Sequence, residues 1–535
     1  VFGVVLAWRQ GSLGLSGRGR RNLCLVLSVF GFYFILQAFL QYKAPGMPAA
    51  EPSTYKPTEA SEAAITAVEN KGYRGATIDY VIMIGYFVAI VALGMFFGRK
   101  MKSTEDFFFG GRKFAWWLIA FSMIATTIGS YSFLKYSSKG YQYGLSSTQT
   151  YSNDWIYFPL LLFCWLPILY FSRVTSIPEY FGKRFNSKVR FWATVCLMVY
   201  MIGYVGVNLY TMGKVLHHLL GWDIFIGAVI VALVSMSYVS SGGQTSVIMT
   251  DLFQGVMLLV TGALILGLGF AYLGGFDVFW ANLPGDSRKV FHNFNSDPGF
   301  PSVGIFWQDG LANSIMFGFL HQGTIMRYMS ARSFKDCKKA VVTHLVVLMP
   351  LAACVVGGAG WLAKALANHG DLPASMPADE SFYAATQLIS QPGIFGLILA
   401  AMIAALMSTV DTLITAISAV WVNDVHKLYI KKDMTDRQAL TVARLTAIGA
   451  TVVGIILVPV FMNFDSIYDA HGAFTAAVTP PLVVTFILSV FWKRFTAPAA
   501  LATLVVGLFA IALSFFVPEV ITPFAHGVPM GDAGD

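Results

Sequence analysis

The run WWLIAFSMIATTIGSYSFLKYSSKG, residues 116–140, begins as a membrane helix and does not finish as one. Its apolar first half gives way to ATTIGSYS, residues 125–132, made of small residues, hydroxyls, one glycine and no acid. In hydrocarbon each unpaired backbone N–H or C=O costs several kcal/mol. Sequence that invites unwinding at mid-membrane is therefore tolerated where the freed carbonyls have something to bind. The expectation is a small cation held beside a polar substrate. The plainer reading is a small-residue surface for helix packing.

Composition sets the frame around this stretch. Of 535 residues, 56% are hydrophobic and 12% charged, and mean hydropathy is +0.64. Such a chain lacks the polar surface that a soluble protein needs. Apolar runs near the roughly 20 residues that span a bilayer recur from residue 23 to residue 517. The net charge of +8 sits in short clusters between these runs, which is a topological signal and not a nucleic-acid stripe. Cys24, Cys164, Cys196, Cys337 and Cys354 are scattered without CxxC or His partners, so neither a disulfide framework nor a zinc site is expected.

Working outward, residues 1–22 form a basic N-terminal segment, 23–42 an accessory transmembrane helix and 43–76 an extracellular linker rich in Pro, Ala, Glu and Ser. A span at 77–98 precedes the opening run. Further spans read as 150–172, 190–216, 222–240, 246–273, 304–328, 339–366, 392–421, 438–462, 467–492 and 497–517, about thirteen in all. RKMK and GGRK, Arg173, Lys183, Arg184, Lys188, the cluster Arg327, Arg332, Lys335, Lys338 and Lys339, then Lys427, Lys431, Lys432, Lys493 and Arg494 fall on one side. Loop 367–391, on the other side, carries acids and no Lys or Arg. The basic side is assigned to the cytoplasm and the tail, 518–535, to the outside. Both ends of the chain read as cut.

The ten spans from 116 to 492 divide into two fives, 114–273 and 304–492, each opening on an interrupted helix. The second interruption is ANSIMFGFLHQG, residues 312–323. An odd number of spans per half places the halves in opposite orientations, and paired broken helices point to a transporter's central site. A hydroxyl-rich stretch, AALMSTVDTLIT, lies at 404–415. On a helix Ala405, Ser408, Thr409 and Thr412 share one face, and the Asp411 carboxylate reaches the same neighbourhood. An acid inside a span is a functional candidate; back-bonding of Ser and Thr to their own helix is the bland alternative. Asp251, about two turns inside its span, has a structural alternative in the helix dipole. Asp154 lies near the outer end of its span, and His321 and Gln322 occupy the second interruption.

DFFFGGRK (106–113), TSIPEYFGKRFN (175–186), the SGG…TDLFQG segment (241–255) and AALMSTVDT together resemble the sodium/solute symporter family of sugar, proline and sialic acid symporters, over about 77–517. The resemblance implies an all-α integral membrane protein with the inverted five-plus-five repeat of the bacterial leucine transporter plus accessory helices. It implies one sodium held by the carbonyls of Ala125, Ile128 and Ala405 and the hydroxyls of Ser408 and Thr409. In some members a second sodium is held by an acid matching Asp251, which here joins Ser408, Asp411 and Thr412. On the substrate side it aligns Tyr151 with a sugar-binding Glu, Asp154 with another polar contact, Asn313 (after a one-residue shift) with a sugar-binding Asn, and Met316 or Phe317 with an aromatic gate. Thr127, Ser130, Ser132, His321 and Gln322 complete the solute candidates.

The implied function is sodium-driven uptake of a small organic solute, a sugar or polyol favoured, through a multi-pass protein of the cell membrane. The expected partners are sodium, solute and the lipid bilayer, with no nucleic acid, no further cofactor and a monomer or weak oligomer. Proton coupling, an amino acid or organic cation as solute, and a non-transporting sensor of the same fold stand as alternatives. No GxSxG, HExxH or GxxxxGK[ST] motif supports an enzyme.

Overall fold

Apolar runs of this length fold as helices because a bilayer offers their backbone groups no other partner. A computed structural model describes residues 76–99, 101, 103–152, 157–290, 314–463 and 467–517. Among these residues the structure is helices and connections, with one isolated bridge between Phe114 and Ala331. Helix α1 (Thr77–Gly98) leads through α2 (Thr104–Phe109) to α3 (Trp116–Thr127) and α4 (Ser130–Tyr143). Helix α5 (Phe158–Ser172) bends by 86° into α6 (Ile177–Arg184), followed by α7 (Ser187–Leu220), α8 (Ile224–Leu273) and α9 (Phe276–Asn282). The second half runs through a π-helical turn (Met316–Leu320), α10 (Gln322–Met329), α11 (Phe334–His369), α12 (Ser381–Ile389), α13 (Ile394–Ile430), α14 (Asp436–Phe461), α15 (Ile467–Phe491) and α16 (Ala497–Phe516).

Six described helices are long and apolar enough to cross a bilayer, and the bent pairs α3–α4 and α5–α6 raise that to eight. The expected thirteen is not reached among the described residues; the run 23–42 and residues 304–313 of the span expected at 304–328 lie outside them. The spans expected at 222–240 and 246–273 are the two arms of α8, a 50-residue element in which two helices meet at a kink. At about 1.5 Å per residue it is over twice as long as a hydrocarbon core of about 30 Å. It bends at Gly243, which stands at φ 50, ψ −146. Glycine alone takes that backbone without strain, and a Cβ there would lie 2.5 Å from the Phe107 carbonyl oxygen. Most of 175–186, between two expected spans, is helix α6, started by Ser176, whose hydroxyl accepts the Glu179 N–H, and by a proline in its first turn.

Helix α13 lies at the centre. Its side chains from 398 to 420 are all buried, and α1, α3, α7, α8 and α14 pack around it. Its start is held from a distance: the Asp79 carboxylate on α1 accepts the Gly393 N–H at 2.7 Å and the Gly396 N–H at 2.6 Å. A carboxylate there satisfies two of the amides that a helix N-terminus leaves open and suits its dipole. The middle of α13 is thereby fixed against the two interruptions.

Candidate ion and solute site

Helix α3 ends where its apolar sequence ends. Thr127 is its last residue, Ile128 leaves the helix at φ −104, ψ 96, and Gly129 is extended at φ −85, ψ 174. Ser132 and Phe133 then donate to the Gly129 carbonyl, so α4 starts a new ladder. The carbonyls of the last turn of α3 are not carried into it. This break lies against the middle of α13. Thr409 Oγ1 donates to the Thr126 carbonyl at 3.1 Å and lies 3.3 Å from the Ala405 carbonyl. Thr126 Oγ1 is 3.5 Å from Ser408 Oγ and 3.1 Å from Thr412 Oγ1. Ala125, Ile128, Ala405, Ser408 and Thr409 are all buried around this contact, which offers neutral oxygens and no charge.

The second group of candidates is arranged differently from expectation. Ser408 Oγ donates to Asp251 Oδ1 at 2.5 Å, and Ser122 Oγ donates to Asp251 Oδ2 at 2.5 Å. The fourth party is Arg327, expected in the cytoplasmic basic loop and found instead with its side chain wholly buried. Its guanidinium donates to Asp251 Oδ2 at 2.5 Å, Thr412 Oγ1 at 2.5 Å, Ser122 Oγ at 2.7 Å and the Gly323 carbonyl at 3.1 Å. The reason is helical geometry: Arg327 is one turn along α10 from Gly323, whose missing Cβ lets α10 press on Thr412. A Cβ on Gly323 would stand 2.1 Å from Thr412 Cγ2. Asp251, Ser408 and Thr412 thus come together around a guanidinium. Asp411 does not join them; its Oδ2 accepts from the Tyr238 hydroxyl on α8, because a residue three along from Ser408 still points some 60° off it on the helix.

The solute candidates divide likewise. Phe317 stacks on His321 with ring centroids 4.7 Å apart and 4° between planes, and Tyr204 meets Phe317 edge-on at 6.1 Å. His321 caps α10, its Nδ1 accepting the Thr324 N–H at 3.3 Å, while its buried Nε2 has no hydrogen-bond partner among the described residues. Thr127 Oγ1 donates to its own Met123 carbonyl at 2.9 Å and lies 3.4 Å from His344 Nε2 on α11. Gln322 is engaged by backbone. Its Oε1 accepts the Ile177 N–H at 3.0 Å and its Nε2 donates to the Thr175 carbonyl at 2.9 Å, fastening α10 to the start of α6. Ser132 is buried on α4, Tyr151 is buried with its ring 4.6 Å from that of Tyr136, and Ser130 begins α4. Asp154 and Asn313 lie outside the described residues.

Sequence reasoning missed Arg327, His344 and Tyr238. One signal was available: an acid inside a span calls for a counter-ion, and Arg327 lies on the same helical segment as the second interruption. Among the described residues no group of three or more His, Cys, Asp and Glu side chains gathers as a transition-metal site. What gathers at the first break is the oxygen set that suits a small hard cation.

The chain is 28% identical over 473 residues to a sodium/glucose cotransporter of Vibrio parahaemolyticus, covering 82% of this chain and 85% of that one. It is 26% identical over 457 residues to a sodium/sialic acid symporter of Aliivibrio fischeri, covering 79% and 85%. Its fold matches that of a Na+-coupled sialic acid symporter solved in a substrate-bound outward-open state, with TM-score 0.74 at 23% identity over 85% of this chain and 95% of that one. A nucleobase-cation-symport-1 family transporter in a closed conformation gives TM-score 0.55 at 13% identity, covering 78% and 91%. The sequence model of the sodium:solute symporter family matches residues 107–507, and this multi-pass membrane protein belongs to that family.

Proposed function

We propose that this chain, a sodium-coupled solute symporter and not an enzyme by family, draws a sugar, polyol or similarly hydroxylated solute into the cell by alternating access. Sodium is held by the carbonyls of Ala125, Ile128 and Ala405 and the hydroxyls of Ser408 and Thr409. The observation that carries this reading is the break at Ile128 and Gly129 lying against Ser408 and Thr409. Residues 114–273 and 304–492 act as the two inverted halves that rock about this point. Sodium bound between α3 and α13 favours the state in which the two interruptions face each other, which lowers the free-energy cost of organising the solute pocket. The membrane potential adds about 2.3 kcal/mol per charge per 100 mV to the sodium gradient.

For the solute, the reading rests on the aromatic face of Phe317, stacked on His321 and edged by Tyr204. A flat apolar wall with a few polar atoms, here the buried His321 Nε2 and the half-buried Thr127 Oγ1, suits a ring that carries hydroxyls. Named relatives transport glucose and sialic acid, which brackets the class. A thermal-shift screen of sugars, inositols and sialic acids with and without sodium identifies the solute. Uptake into proteoliposomes with sodium replaced by choline then tests the coupling. Uptake that persists undiminished in choline removes sodium from the mechanism.

A further inference from the structure

We infer that the basic end of the bundle carries a binding groove for one anionic phospholipid, formed where α7, α13 and α16 meet. The groove has a volume of about 320 Å³ and is lined by Ser187, Lys188, Phe191, Trp192, Tyr429 and Leu501. These residues share one depth. Ser187 opens α7, Tyr429 is next to last in α13, and Leu501 lies one turn into α16. All three helix ends adjoin basic clusters, which charge assigns to the cytoplasm, so the groove sits at headgroup level. Phe191 and Tyr429 meet edge-on with ring centroids 6.1 Å apart and remain exposed, while Trp192 and Leu501 pack partly inward. Aromatic rings at this level anchor a protein in the membrane interface. Farther along, α16 turns Val506, Phe509 and Leu513 outward, as a lipid-facing span does.

The charge at this end has no internal answer. Lys188, Lys431, Lys432, Lys493 and Arg494 lie on α7 and on the segments after α13 and α15, and none is in an ion pair among the described residues. The neighbouring acids Glu179 and Asp424 are already held, by Lys183 at 2.8 Å and Arg190 at 2.7 Å. Asp433 and Asp436 are the acids left on the way into α14. Lys188 stands in the first turn of α7, where the helix dipole favours an anion, and α7 has no acid there. A phosphate resting on Lys188 answers the cation and the dipole together. The aromatic and aliphatic wall beside it suits acyl chain, which a soluble anion lacks. A volume near the lower end of the about 300–1,000 Å³ of ligand pockets takes a headgroup and the first part of its chains. Lipid is also what the place supplies, since a groove that opens on a bilayer is filled by what the bilayer contains.

The test is native mass spectrometry of the purified full chain titrated with phosphatidylglycerol or phosphatidylcholine. The wild type binds one phosphatidylglycerol about tenfold or more tighter than phosphatidylcholine. Lys188→Glu, whose acid suits the first turn of α7, weakens that lipid about tenfold while the unfolding temperature holds. Lys335→Glu makes the same charge change on α11 at the same end and leaves the affinity within about twofold. Leu501→Trp fills the groove without changing charge and weakens the lipid severalfold, which keeps the proposal open to refutation even where Lys188→Glu does not fold. Equal affinity for the two lipids overturns the inference. Equal losses in Lys188→Glu and Lys335→Glu also overturn it, because the attraction then belongs to the whole basic surface. Full affinity in Leu501→Trp removes the groove from the binding. Displacement of the lipid by millimolar inorganic phosphate overturns the inference too, since the site is then one for a soluble anion.

Discussion

The two interruptions look alike in sequence and do opposite things in the structure. At the first, α3 stops at Thr127, and the Thr126 carbonyl and hydroxyl meet the hydroxyls of Thr409 and Ser408 in a neutral oxygen-rich contact. At the second, the chain breaks at His321 and the helix that follows delivers a guanidinium one and a half turns later. Both meet α13 one turn apart, the first at Ser408 and Thr409 and the second at Thr412. One break therefore gathers neutral oxygens and the other brings a cation of its own. In a bilayer these are the two available ways to satisfy backbone and acid where water is absent.

The largest expected effect attacks the second break. Arg327→Ala leaves Asp251 buried without a counter-charge and is expected to cost about 3–5 kcal/mol of stability, as loss of one partner of a buried pair does. Thermal unfolding in nanodiscs reads it directly. The neutral pair Asp251→Asn/Arg327→Gln should lose less than the single alanine. Equal losses would mean that the guanidinium is held by packing and not by the acid.

Next comes the tie that joins the second break to α6. Gln322→Ala removes the acceptor of the Ile177 N–H and the donor to the Thr175 carbonyl, and the orphaned N–H costs about 1–3 kcal/mol. Stability should fall while the solute concentration for half-maximal uptake stays within about twofold. Phe317→Ala should do the reverse, raising that concentration about tenfold, or roughly 1.4 kcal/mol, with little change in unfolding temperature. A solute affinity more sensitive to Gln322 than to Phe317 would reassign the pocket.

How far the sequence foretold this contrast follows from what each residue needs. The first break was legible because glycine, small residues and hydroxyls inside an apolar run have few other uses, and the hydroxyl face of α13 follows from 3.6-residue periodicity. The position of the second break was legible on the same grounds. The role of Arg327 was not, because RYMSARSFKDCKK reads as a basic cytoplasmic loop and the helix that buries its first residue starts only at Gln322. Gln322 shows a related limit: an amide beside a break satisfies backbone as readily as solute, and the backbone it binds lies at the start of α6, far away in sequence. Asp411 shows the same limit. Its helix and depth were evident, but the Tyr238 hydroxyl that receives it belongs to another helix.

The smallest effect separates the ion from the network that surrounds it. Ser408→Ala should raise the sodium concentration for half-maximal binding about tenfold, roughly 1.4 kcal/mol. Ser418→Ala, whose hydroxyl only back-bonds to Ile414 at 2.9 Å, should shift it by less than twofold. Ser408 alone is ambiguous, since its loss also deprives Asp251 of a donor. Thr409 resolves this, because its hydroxyl bonds the Thr126 and Ala405 carbonyls and is not bonded to Asp251 or Arg327. Were Ser408→Ala to act only through the acid, Thr409→Ala would leave sodium binding unchanged. If the hydroxyls ligate the ion, Thr409→Val, which keeps the volume and removes the oxygen, weakens sodium severalfold with stability nearly intact, and that places the ion at the first break.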